Sequence, residues 1–282
     1  SGGNVNNTRR NAGCMGTQTA ALYAGGFAPP YVNYSEEYNG STWTEGNNLT
    51  IARECSTSGF GTQTAGAVAG GGAPDNISSP YSGYSNSTDE YNGTSWSEGG
   101  DINSHRLGMA TCGTQTAGFG AGGYQGANHP ESPPSNTAKC EQYNGTSWTE
   151  VADLNSARYS AGASGDVNSI LLNGGELGPA QTTKTESFDG TSWVEVADLS
   201  TARKDHGSTG YSSSNTSGLS FAGKAPPTSF KSSSELWTTT PSALFQKSIE
   251  GQLFFNSTAN AFKETITDIP GASWASGGNL NT

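Results

Sequence analysis

Glu141-Gln142-Tyr143-Asn144-Gly145-Thr146-Ser147-Trp148 is the stretch on which the fold turns. It reads as an acidic residue, an aromatic two positions later, a turn, and a Trp. The same order opens at Glu36/Tyr38, Asp89/Tyr91 and Glu186/Phe188, with Trp43, Trp96 and Trp193 following, and again at Glu235/Trp237. The five aromatics are 53, 52, 45 and 49 residues apart. A period of roughly 50 is that of four-stranded propeller blades.

Working outward, each repeat divides into four strand candidates. The first follows an Arg and is short and small-sided, as in Arg106 to Cys112. A turn written Gly-Thr-Gln-Thr-Ala begins at Gly16, Gly61 and Gly113. The second strand ends in paired glycines, Gly25-Gly26, Gly70-Gly71 and Gly174-Gly175, as a crowded propeller centre requires. The third strand carries the acidic and aromatic pair. Asn39-Gly40, Asn92-Gly93, Asn144-Gly145 and Asp189-Gly190 then predict type I′ hairpins into the Trp strand. Leu49, Ile102, Leu154 and Leu199 each precede an Arg by four residues and lead into the next unit.

Composition agrees with an ordered, turn-rich all-β chain. Of 282 residues 40 are Gly, charged residues are 13%, and the aromatics, at 10%, recur at fixed places. A net charge of −11 with 13 Lys plus Arg leaves no electrostatic footprint for nucleic acid and disfavours anionic membranes. No stretch has the apolar length of a membrane span, and residues 1–10 lack the apolar core of a signal peptide. Cys14, Cys55 and Cys112 fall in or just ahead of first strands and Cys140 opens a third strand, so buried free thiols are expected rather than disulfides.

The Gly-Gly, aromatic and Trp pattern, with an Arg opening each unit, resembles kelch-repeat β-propellers over residues 1 to about 240. The fold expected is an all-β propeller of about six four-stranded blades. Five are kelch-like, at about 1–45, 46–98, 99–150, 151–195 and 196–245, and a divergent blade spans about 246–282, the whole forming one domain. The fifth repeat keeps Arg203 and Glu235/Trp237 but replaces the Asn-Gly hairpin with Thr238-Thr239-Thr240-Pro241. Residues 250–263 read as a hairpin of their own, and Gly271-Ala272-Ser273-Trp274 restores the Trp-strand signature. Ser276 to Thr282 repeats the register of Ser1 to Asn7, so either the ends meet or the chain is part of a longer array.

In an up-and-down blade the two short turns share one face, and the second-to-third loops lie on the other. Those loops are long in the first three repeats and carry Tyr31, Tyr34, Tyr81, Tyr84, Tyr124 and His129 among Pro, Asn and Ser. That composition suits adaptable polar contact with aromatic platforms, for a sugar or a protein partner, although the same aromatics would also pack the loops. Arg9, Arg53, Arg106, Arg158 and Arg203 start the first strands; they could ring the channel mouth as anion clamps. Alternatively each pairs with the acidic residue of a third strand, Glu36, Asp89, Glu141, Glu186 or Glu235, tying blades together. Trp43, Trp96, Trp148 and Trp193 read as packing between blades.

Signals for catalysis are weak. His105, His129 and His206 have no metal-site spacing, and no metal or cofactor is expected. A galactose-oxidase-like copper centre has no counterpart here residue by residue. Ser187 to Trp193 approaches a sialidase Asp-box but misplaces its Gly. Carboxylate pairs for glycoside hydrolysis are set by distance in the fold and stay open.

Low Lys, abundant Gly, Ser, Thr and Asn, the near-identical Asn-Gly-Thr-Ser-Trp units and Gly251-Gln252-Leu253-Phe254-Phe255-Asn256-Ser257-Thr258 together resemble virion proteins of marine tailed bacteriophages, notably cyanophage-like tail fibres. The resemblance implies a non-enzymatic, multicopy structural protein of the extracellular particle, meeting a host-surface glycan or protein and other virion proteins through its long-loop face. The alternative is an extracellular lectin or carbohydrate-active enzyme of the galactose-oxidase and kelch type.

Overall fold

The computed structural model describes residues 2–56, 58–74, 83–125, 135–208, 215–226 and 229–238, together with the strands at 253–256 and 261–264. Among the described residues every regular element is a strand, and small antiparallel sheets are arranged as a β-propeller. Contacts divide the chain into two compact units, Ser1–Thr238 and Thr239–Thr282.

Five blades are seen in the first unit. Blade one contains Gly13–Thr17, Ala20–Ala24, Ser35–Tyr38 and Trp43–Glu45; blade two Gly59–Gly61, Gly66–Ala69, Thr88–Tyr91 and Trp96–Glu98. Blade three contains Ala110–Thr114, Ala117–Ala121, Cys140–Tyr143 and Trp148–Val151; blade four Gly162–Asp166, Ser169–Asn173, Thr185–Phe188 and Trp193–Val196. Blade five has three strands among the described residues, Gly207–Ser208, Ser217–Phe221 and Ser234–Thr238. In the second unit Leu253–Asn256 pairs antiparallel with Ala261–Glu264, the hairpin expected over 250–263.

First strands of successive blades lie side by side, a close approach that their glycines permit, since every one of them contains Gly. The apolar core lies between blades. Met15, Leu22 and Ala24 of blade one pack on Val68, Tyr91 and Trp96 of blade two, and Phe119 of blade three packs on Ile170, Phe188 and Trp193 of blade four. Within each blade the third-strand aromatic meets its Trp at nearly one geometry, with ring centroids 5.0 Å apart for Tyr91–Trp96, 4.9 Å for Tyr143–Trp148 and 5.0 Å for Phe188–Trp193. The polar tips then reach backwards: Trp148 Nε1 donates to Thr88 Oγ1 at 2.9 Å and Tyr143 Oη to Glu90 at 2.9 Å. An amphipathic ring with an apolar body and one polar end is suited to this double duty. The Gln of the Gly-Thr-Gln-Thr-Ala turn adds a staple, since Gln63 Nε2 donates to the Ala21 and Tyr38 carbonyls and Gln115 Nε2 to those of Gly66 and Tyr91.

All five arginines are fully buried at the guanidinium, and each pairs with the acidic residue of its own blade: Arg9–Glu36, Arg53–Asp89 (2.9 Å), Arg106–Glu141 (2.5 Å), Arg158–Glu186 and Arg203–Glu235 (2.6 Å). The anion-clamp reading has no free guanidinium to work with. The acid has a second role, because its other oxygen accepts backbone N–H groups of the incoming linker, from Asn103 to Glu141 and from Asn155 to Glu186. For Glu36, burial pushes the carboxyl pKa up, but the bonds from Arg9 and the Asn6 and Asn7 amides outweigh it and hold the group below its ordinary value. Burial likewise drives the Arg106 guanidinium down, opposed by Glu141.

The ties between blades are made by backbone rather than by these side chains. Gly26, Gly71, Gly123 and Gly175, the second members of the glycine pairs, donate N–H to the carbonyls of Arg53, Arg106, Arg158 and Arg203 of the following blade at 2.7, 2.9, 2.8 and 2.8 Å. The first members, Gly25, Gly70, Gly122 and Gly174, have φ of 65, 66, 63 and 62°, and Ala222 holds the same place in blade five at 61°. Two positions after the arginine the chain is again left-handed, at Asn11, Ser160 and Asp205 (φ 55, 54 and 50°) and at Gly108 (64°). There Gly108 O accepts from Ser160 N and Ser160 O from Asp205 N, linking blades three, four and five around the axis.

Two expectations are corrected. The Asn-Gly hairpins are not type I′: positive φ falls on Gly40, Gly93 and Gly145 alone, and Asn39 Oδ1 accepts from the Ser41 and Thr42 amides at 2.9 Å. The Asn side chain thus closes the turn itself, and the central residues shift one step along to Gly-Ser or Gly-Thr. All four cysteines are free, as expected, but Cys14 is exposed, because it alternates with Met15, which packs on blade two, and so turns to the opposite face of its strand.

Breaking one buried pair leaves an uncompensated charge. Arg106→Met and Glu141→Leu should each cost about 3–5 kcal/mol in urea unfolding, with the double variant losing clearly less than the sum. Ala222→Gly should instead stabilise by about 1 kcal/mol, by relieving a left-handed Ala; an unchanged or lowered midpoint would show that the strain is not there.

Candidate ligand-binding face

The buried arginine dictates what stands next to it. Each following residue, Arg10, Glu54, Leu107, Tyr159 or Lys204, forms an antiparallel bridge with the first residue beyond the glycine pair, Phe27, Gly72, Tyr124, Glu176 or Lys224. The guanidinium is fixed inward, so its neighbour is presented on the loop face, where the repeat stops repeating. Small two-stranded ribbons extend this face: Tyr124–Gln125 with Ser135–Asn136, and Glu176–Leu177 with Ala180–Gln181.

Across blades two, three and four three tyrosines meet in a row. Tyr84 and Tyr124 have ring centroids 6.2 Å apart, and Tyr124 and Tyr159 5.6 Å. The row ends on blade five, where Lys204 Nζ stands 5.1 Å from the Tyr159 ring centre and donates to its hydroxyl at 3.2 Å. Tyr159 Oη in turn donates to Glu176 Oε1 at 3.0 Å, and Lys204 pairs with the same carboxylate. Asn136 Nδ2 donates to the Glu176 carbonyl at 2.7 Å, joining the ribbons of blades three and four. Tyr84, Tyr124, Asn136, Tyr159 and Glu176 line an open groove of about 830 Å³.

Its electrostatics are quiet. Burial, chiefly, raises the Tyr84 and Tyr159 phenols above their ordinary values, so both remain neutral hydroxyl groups near neutral pH. Burial lowers Lys204, but the bonds to Glu176 and Tyr159 prevail and keep it charged. The pair is mutually neutralised. The groove therefore offers half-buried aromatic rings, an amide-pinned backbone and hydroxyls, a surface for stacking and hydrogen bonding to a polar uncharged ligand.

Of the residues expected to form a contact face, Tyr84 and Tyr124 come together here. Tyr31 packs on Phe27 at 5.2 Å in blade one, and Tyr34 is an exposed ring outside the groove lining. Tyr81 and His129 lie outside the described residues. Tyr159, Glu176 and Lys204 were not singled out from the sequence. The signal that could have found them is the residue after each arginine, which varies while its neighbour does not. Among the described residues no group of three His, Cys, Asp or Glu side chains is placed to hold a metal ion.

No protein-family model matches this sequence, and no curated protein is significantly similar to it.

Proposed function

We propose that this chain is a non-enzymatic structural protein of a bacteriophage particle, a kelch-like propeller whose long-loop face engages a host-surface glycan. The observation that carries the binding part is the row Tyr84, Tyr124 and Tyr159 lining an open groove of about 830 Å³. Aromatic faces beside fixed hydrogen-bonding groups suit pyranose rings, which present apolar C–H faces and hydroxyl edges. The virion part rests on the Lys-poor, Gly, Ser, Thr and Asn-rich composition and on the segment around Leu253–Asn256. Neighbouring virion proteins are the partners proposed for the rest of the surface.

The second reading is an extracellular lectin or carbohydrate-active enzyme. Glu176, a groove carboxylate, is what favours it. Its ion pair with Lys204 and its bond from Tyr159 occupy the carboxylate, which argues for a positioning role.

We also infer six blades, with residues 246–282 as the divergent sixth. Two features support it. Tyr38 and Trp43 of blade one are only half-buried, whereas Tyr91, Trp96, Tyr143 and Trp148 at the same places are buried. On blade five Leu236 is 73% exposed and Phe221 44%, which is unusual for large apolar residues of an inner repeat.

Binding is tested on immobilised bacterial surface polysaccharides and by competition with phage for adsorption. Tyr124→Ala and Tyr159→Ala should each weaken binding roughly tenfold or more with melting temperature preserved, as for aromatic anchors of an interface. No binding to any polysaccharide, or binding indifferent to both changes, removes the glycan reading; glycan turnover abolished by Glu176→Gln moves the protein to the enzymatic one. Removing residues 246–282 should lower the melting temperature by several degrees, and an unchanged value counts against the sixth blade.

A further inference from the structure

Asn-Gly is written four times in this chain, at Asn39-Gly40, Asn92-Gly93, Asn144-Gly145 and Asn173-Gly174. The dipeptide carries a latent reaction, which is one reason Asn is a thermolabile residue: the glycine amide has no side chain to shield it and can attack the Asn side-chain carbonyl carbon. The fold treats the four copies in two ways.

In the three turns both reactants are available. Asn39, Asn92 and Asn144 are exposed, and the N–H groups of Gly40, Gly93 and Gly145 donate to no protein acceptor among the described residues. Each Asn Oδ1 accepts from the backbone amides two and three residues on. The distances are 2.9 and 2.9 Å from Ser41 and Thr42, 3.0 and 2.9 Å from Thr94 and Ser95, and 3.0 and 2.9 Å from Thr146 and Ser147. The ring that the first of these bonds closes runs through the glycine nitrogen, so the side chain is held folded back over its own nucleophile. The same bonds aim two donors at the oxygen on which charge gathers when the carbonyl carbon is attacked, the arrangement that stabilises an oxyanion.

Asn173 has none of this freedom. It is 3% exposed, in the second strand of blade four, where it pairs with Gly162 and Thr185. Its Oδ1 is held by His206 Nε2 at 2.8 Å and Ser220 Oγ at 2.7 Å, and Gly174 N donates to Lys184 O at 3.0 Å. Blade four also shows the outcome of the reaction, since Asp189 stands where the other three turns have Asn. Asp189 Oδ1 accepts from Thr191 and Ser192 at 2.9 and 2.8 Å, so a carboxylate closes the turn in the same way. The bonds from Ser192 and Thr191 hold its carboxyl below the ordinary carboxylate range.

We propose that Asn39, Asn92 and Asn144 are sites of spontaneous self-modification, converting to carboxylates with water as co-reactant, while the fold keeps Asn173 an amide. The glycine nitrogen bonds to Cγ and gives up its proton, the Cγ–Nδ2 bond breaks, and Nδ2 leaves with that proton as ammonia. Water then opens the cyclic imide at either carbonyl, adding hydroxyl to carbon and hydrogen to nitrogen, and yields aspartate or its backbone-lengthened isomer. No electrons are exchanged. Each event adds a negative charge on the face opposite the long loops, and the sites stand without the tyrosine groove.

The full chain is held in mildly alkaline buffer, and the peptides spanning the four dipeptides are followed by mass spectrometry, which reads the exchange of amide nitrogen for oxygen. In the folded protein the three turn sites should convert, with Asn173 slower by roughly tenfold or more because its reaction waits on local opening. In urea Asn173 should convert as fast as the others. Turn asparagines that stay amides in the folded chain, an Asn173 that keeps pace with them there, or an Asn173 that still lags in urea each overturn the proposal.

Discussion

The buried arginine–carboxylate pair is the constraint on which the rest of this structure depends. A guanidinium with no exposed surface needs its charge and its donors met, and each arginine finds its carboxylate and its carbonyl acceptors within its own blade, with Nε of Arg53 and Arg106 left unpaired. Arg106, for instance, donates to the Gly122 and Lys139 carbonyls and to Glu141. Those bonds fix where the second strand ends, where the third begins and how the linker enters. Replacing such a pair with apolar residues can be neutral in stability, so its value here lies in geometry. It gives every blade the same internal frame, against which the Tyr–Trp pairs and Gln staples repeat.

Most of the frame was legible in the sequence because it is periodic. Five acidic and aromatic pairs, five arginines and the glycine doublets identified the strands and the Arg–acid partnership. What period could not show was direction. The arginine ties its own blade while its carbonyl ties the preceding one, a division between side chain and backbone that no residue pattern records. The Asn-Gly turns were misjudged for a related reason: the dipeptide signals positive φ, but only coordinates show the Asn side chain taking the role of a backbone acceptor.

The candidate site was legible only where it was aromatic and lay in a long loop. Tyr84 and Tyr124 met those conditions, whereas Tyr159 sits in the frame itself, directly after a buried arginine, and Glu176 lies in the shorter loop of blade four. Loop composition says which surface is variable; it does not say which variable residues share a groove. The axial His206 was set aside because spacing offered it no metal-site companions, and its actual companion, Asn173, is conspicuous only when second strands are superposed.

The double use of each arginine bears on how the blades come apart. In a linear repeat array stability is close to a sum of unit and nearest-neighbour terms, and an end can fray alone. Here the residue that organises one blade is also the acceptor for the glycine of the blade before it, at 2.7 to 2.9 Å. Loosening a blade from within releases its neighbour's backbone at the same moment. The repeats are alike enough to read as a row of separable parts, yet the bonding ties the inner frame of each blade to the backbone of the one before it.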